Sequence, residues 1–98
     1  MKTSKMVIGT LRIHLYFPES RSLKEKRQVL KGYQERIRKK FNVSTCELGL
    51  QNSWDESIVA VVYVNSSRKQ VERVLEEIVK WNGFSKKLEV IDYQKELL

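Results

Sequence analysis

Lys24, Arg27, Lys31 and Arg38 follow one another at steps of three, four and seven residues. At 100° per residue that spacing lays four cations along one flank of a helix, in a row about 21 Å long. A row of that kind can neutralise successive phosphates of a polyanion, so the chemistry it offers is binding and not bond-making. Between Ser22 and Phe41 eight Lys or Arg stand against Glu25 and Glu35 alone, so this stretch holds +6 of the chain's net +7. Lys39 points outward, and Arg36 and Lys40 lie on the other flank. A solvated helix face needs charge but not charge of one sign, and like charges repel. The imbalance therefore points to an RNA or other phosphate partner. The competing reading is compensation in space by Glu47, Asp55 or Glu89.

A second, smaller anion site is suggested at the start of the same helix. Ser20, Arg21 and Ser22 precede its unpaired N–H groups, with Lys24 and Lys26 nearby. Ordinary capping accounts for the same residues, because Ser22 with Glu25 three positions on forms a capping box.

Catalytic chemistry finds little footing. His14 is the single histidine, which excludes a multi-histidine metal site. Cys46 is the single cysteine, so no internal disulfide can form, and no neighbour in sequence activates it. P-loop and dinucleotide-binding glycine patterns are absent, as are the glycine-rich loop of acylphosphatases and the C-x-x-C of copper carriers. Neither an enzyme nor a cofactor or metal is expected. Trp54 suits either a stacking platform or a cover over the end of the core.

These residues have to be positioned by a small set of elements. Residues Met6 to Phe17 alternate, with Val7, Leu11, Ile13, Leu15 and Phe17 on one side, and read as a half-buried strand closed by Pro18. The basic helix follows from Ser22 to about Phe41, with Leu23, Leu30, Tyr33, Ile37 and Phe41 as its core stripe. Val43–Leu50 and Trp54–Asn65 are strands joined by a hairpin at 51–53. A second helix, capped by Ser67, buries Val71, Val74, Leu75, Ile78 and Val79; Gly83 and Phe84 suit its end. Lys87–Tyr93 is the last strand, followed by a charged tail.

The order βαββαβ predicts a single α+β domain over 1–98, a ferredoxin-like plait. Its sheet has four antiparallel strands, the first and third central, with both helices on one face. Residues 1–5 read as a flexible extension. A chain of 98 residues with 41% apolar content can bury one core, roughly 60–65% of its unfolded surface. The apolar run Ile58–Val64 is too short to cross a bilayer and no signal peptide is evident, so a cytoplasmic location without membrane attachment is expected.

The uncovered sheet face should carry Ile8, Arg12, His14 and Tyr16 from the first strand. If Ile58, Ala60 and Val62 face the core, it also carries Val59, Val61 and Tyr63 from the third. Too few aromatics stand there for an RNA-reading sheet. Ile8, Tyr16, Val59, Val61 and Tyr63 are instead expected to meet a second subunit.

P-E-S-R-S-L-K-E-K-R at 18–27, K-F-N-V-S at 40–44, Glu47 and the hairpin ending in Trp54 resemble the YlxP-like family of short bacterial proteins. The resemblance runs from Met6 to about Asp92. It implies a ferredoxin-like fold, no known catalytic residues, and genes that lie beside those for a translation initiation factor and a ribosome-binding factor. It thus implies a role near the ribosome or its RNA. Asp55 and Glu56 depart from the family pattern after Trp54, which removes the hairpin from the expected phosphate contacts. The reading that results is a non-enzymatic, RNA- or ribosome-associated domain, with a homodimeric interaction module as the alternative.

Overall fold

The computed structural model describes residues 5–81 and 85–98. Gly83 and Phe84, expected to close the second helix, and residues 1–4 of the expected extension lie outside them. The order is β1 (Val7–Tyr16), α1 (Leu23–Phe41), β2 (Ser44–Gly49), β3 (Glu56–Asn65), α2 (Arg68–Lys80) and β4 (Glu89–Leu97). One antiparallel sheet runs β2-β3-β1-β4, so β1 and β3 are central as expected. The architecture is an α+β fold consistent with a ferredoxin-like plait.

β1 buries the alternating set read from the sequence: Val7, Leu11, Ile13, Leu15 and Phe17. Gly9 shares that face, and a Cβ there would lie 2.4 Å from Val71 Cγ1 and 2.8 Å from Leu75 Cδ1. Its bare backbone is what lets α2 approach the sheet so closely. α1 starts at Ser22, whose hydroxyl accepts the Glu25 N–H at 3.1 Å. It ends at Asn42, which takes the left-handed conformation (φ 53°, ψ 56°) and donates its N–H to the Arg38 carbonyl. Asn tolerates that conformation better than most side chains, which makes it a natural helix end. α2 is capped in the same way by Ser67, which accepts the Gln70 N–H at 3.2 Å. Leu30, Tyr33, Ile37 and Phe41 of α1 and Val71, Val74, Leu75 and Ile78 of α2 complete the core.

Two expectations are corrected. β4 does not stop at Tyr93: it runs to Leu97, pairing Tyr93 with Ile13, Lys95 with Leu11 and Leu97 with Gly9. More importantly, β3 has the opposite phase. Val59 and Val61 are fully buried under the helices, and Ile58, Ala60 and Val62 lie on the open face. Register forces this. Val59 pairs with Ile13 and Val61 with Leu11, and directly paired residues share a face.

Candidate functional site

α1 lies against the edge strand β2, where Gln34 Nε2 donates to Thr45 Oγ1 at 3.4 Å. Gln34, Arg27, Arg38, Lys31 and Lys24 fall within about 80° of one another around the helix axis. The cationic flank therefore overhangs the β2 edge of the sheet. Lys24, Arg27, Lys31 and Arg38 are all exposed. Among the described residues none of the four is in an ion pair, and neither Glu47, Asp55 nor Glu89 reaches them. α2 behaves differently: Arg68 pairs with Glu72 at 3.5 Å and Arg73 with Glu77 at 2.6 Å, and Glu76 lies 4.0 Å from Lys95 of β4. On the other flank of α1, the Lys40 ammonium sits 5.6 Å from the ring centroids of both Phe41 and Trp81.

Lys26 departs from the expected cation cluster. It is fully buried and points inward, onto the stripe of Leu30, Tyr33 and Ile37. Its ammonium donates to the carbonyls of Leu50 and Glu56, each at 2.9 Å. Gln51 O at 3.5 Å and Glu47 Oε2 at 3.4 Å complete its surroundings. Ser57 donates its hydroxyl to the same Glu47 oxygen. Leu50 holds a left-handed backbone (φ 59°), uncommon for a Leu, and its carbonyl takes both the Ser53 N–H and Lys26. Sequence reasoning missed this cluster. The available signal was a lysine four residues before Leu30, on the apolar stripe.

The helix start is closed by its own side chains. Ser22 caps Glu25, the Glu25 carboxylate accepts the Arg21 N–H at 2.6 Å, and the Ser20 hydroxyl reaches the carbonyls of Ser22 and Trp54. The adjoining cavity of about 330 Å³ is lined by Glu19 and Glu25 as well as Lys87. An anion placed at Ser20, Arg21 and Ser22 would have to displace a carboxylate already in its place, so the structure brings these residues together as a cap.

The expected subunit patch is broken up by the phase of β3. Val59 and Val61 are interior, and Tyr63 packs partly against the core. Ile8 and Tyr16 remain half-buried on the open face. Beside them stand Ile58, Ala60, Val62 and Val64, the last two exposed. His14 on this face hydrogen-bonds Glu56 at 2.7 Å. Cys46 is exposed on β2. Trp54 is exposed rather than folded over the core. Among the described residues no group of three or more His, Cys, Asp or Glu is placed to hold a metal ion, and no helix is long and apolar enough to cross a membrane.

Comparison with known proteins agrees with the family resemblance read from the sequence. Residues 8–95 match a family model described as "Protein of unknown function (DUF503)". The uncharacterized protein YlxP of Bacillus subtilis (strain 168) is 38% identical over 73 residues, spanning 74% of this chain and 79% of that one. A solved structure, the de novo designed protein Foldit4, superposes with a TM-score of 0.50 at 14% identity, over 96% of this chain and 97% of its own. That last likeness is one of fold alone.

Proposed function

The chain belongs to the DUF503 family of proteins of unknown function, and from that premise we propose that it is a non-enzymatic RNA-binding domain whose first helix engages phosphates, at or near the ribosome. The observation that carries the proposal is the unequal treatment of charge on the two helices. α2 pairs Arg68 and Arg73 with carboxylates one turn away. α1 leaves Lys24, Arg27, Lys31 and Arg38 without an acidic partner among the described residues. Phosphates are the anions that would complete such a row, and the location of the row on an exposed flank beside β2 leaves it open to an extended strand.

Binding through four phosphate contacts on a single strand gives a slope of about −3 in log affinity against log salt. The variant Lys31→Glu/Arg38→Glu takes the net charge from +7 to +3. It should lower the slope by at least half and elute from heparin at lower salt. A flat salt response in the wild-type protein, or a slope the variant leaves intact, would overturn the reading. The same samples speak to the alternative, a second copy covering the open sheet face with Val62 and Val64. A sedimentation mass near twice 11.6 kDa in both proteins, without salt-dependent binding in either, would favour that reading instead.

A further inference from the structure

Trp54 is left unused by the phosphate row, and it is 56% exposed. Its backbone is nevertheless clamped. Lys26 binds the carbonyls of Leu50 and Glu56 on either side of it. The Ser20 hydroxyl reaches the carbonyl of Trp54 itself. Phe17 donates its N–H to the Asp55 carbonyl at 2.8 Å. The tryptophan thus stands on a hairpin fixed through buried Lys26 to the first turn of α1, the turn from which Lys24 and Arg27 emerge on the exposed flank. The neighbouring carboxylates are engaged: Asp55 accepts from the Ser53 hydroxyl at 3.2 Å, and Glu56 bonds His14.

We infer that Trp54 is a base-stacking platform at the N-terminal end of the basic row, and that the ligand is therefore single-stranded RNA carrying an accessible base. This deepens the RNA reading above and rests on it. The row supplies phosphate contacts along about 21 Å of helix. An exposed aromatic ring on a hairpin fastened to the turn that carries the row's first members supplies what phosphates cannot, a face for an unpaired base. Stacking of this kind tolerates any sequence because every base has a π-face. Bases inside a duplex are already stacked on one another and offer no such face, so the platform selects against double-stranded RNA.

The test compares binding of three end-labelled probes at one salt concentration: a twelve-residue oligouridylate, an abasic strand of the same length, and an RNA duplex of the same length. Wild-type protein should bind the oligouridylate about tenfold more tightly than the abasic strand, the scale of one stacked base. Trp54→Ala should lose about tenfold on the oligouridylate and nothing on the abasic strand, and Trp54→Phe should keep most of the wild-type affinity. If wild type holds the base-bearing and abasic strands equally and Trp54→Ala changes neither, the platform is overturned while the phosphate row stands. Loss on both strands alike would assign Trp54 a structural role and also overturn it, as would tighter binding of the duplex. If wild type binds none of the three probes, the RNA reading falls together with this one.

Discussion

Tyr33 shows how far a single side chain can be compromised by its place in the core. Its ring is fully buried on the α1 stripe, 6.4 Å from the Trp81 ring centroid. The hydroxyl has no hydrogen-bond partner among the described residues. A buried hydroxyl without a partner costs on the order of 1–3 kcal/mol. Burial also pushes the Tyr33 pKa up to about 12 from its ordinary 10.0, because the phenolate would lose its water. The folded state then holds this proton where the unfolded chain has released it. The contribution is fully present below pH 10 and is lost as pH rises from 10 through 12, at roughly 1.4 kcal/mol for each pH unit within that window. Tyr33→Phe keeps the ring and removes both effects. Urea denaturation should find the variant about 1 kcal/mol more stable at pH 7, and the difference should widen above pH 10. A variant less stable than wild type at neutral pH would mean that the hydroxyl is satisfied. The position of Tyr33 on the stripe was legible from its spacing with Leu30 and Ile37, but its missing partner was not, because a hydroxyl's partners depend on the packing of the second helix.

Lys26 acts at the scale of elements, since it fastens the first turn of α1 to the β2–β3 hairpin. It lies in the S-L-K-E-K-R run at 22–27, part of the stretch on which the resemblance to the family rests. A cap and a charged face explain Ser22, Glu25, Lys24 and Arg27; the fold itself accounts for Lys26. Lys26→Met retains the aliphatic stem but strips Leu50 O, Glu56 O and Glu47 of their donor. Breaking one side of a buried charged cluster costs about 3–5 kcal/mol. Urea unfolding should read a loss of that size, and adding Glu47→Leu should return part of it. A loss below about 1 kcal/mol would show the ammonium to be dispensable. The elements themselves were legible in order and type, because alternation marks β1 and a capping box marks α1. What escaped was phase and pairing. The run Ile58–Val64 is apolar on both faces, so nothing local says which face is buried; only pairing of Val59 with Ile13 and Val61 with Leu11 decides it. The outer half of β4 escaped for a related reason. Gln94, Lys95 and Glu96 are the polar residues that suit an exposed edge strand, and in sequence they look like a tail.

At the scale of the whole molecule the fold says little about function. A designed sequence 14% identical reaches a similar fold, and function has to be argued from what this chain places on it. What it places there is an uneven field. The +6 of the first helix falls to about +5 on its surface once Lys26 is set inside, and the second helix is nearly self-neutral. Such a field has a consequence for stability without any ligand. Lys24 with Arg27, Arg27 with Lys31, and Arg36 with both Lys39 and Lys40 are like-charged at spacings of three or four, four pairs against the three that Glu35 makes with Lys31, Arg38 and Lys39. Each pair is worth about 0.2–0.5 kcal/mol at low salt. The balance of one repulsive pair opposes folding by about 0.2–0.5 kcal/mol, and net self-repulsion adds to this. Salt shortens the screening length from roughly 30 Å at 0.01 M to about 8 Å at 0.15 M and relieves the repulsion. Stability measured by urea at pH 7 should therefore rise by about 0.5 kcal/mol between 0.01 and 0.3 M NaCl. In Arg27→Gln/Arg36→Gln, which takes the net charge from +7 to +5 and removes all four like-charged pairs, the rise should be at most half as large. Stability that falls with salt in the wild-type protein would mean that attractive pairs such as Arg73–Glu77 dominate the surface. The basic flank of α1 would then already be balanced within the fold, with no surplus left for a phosphate backbone to neutralise.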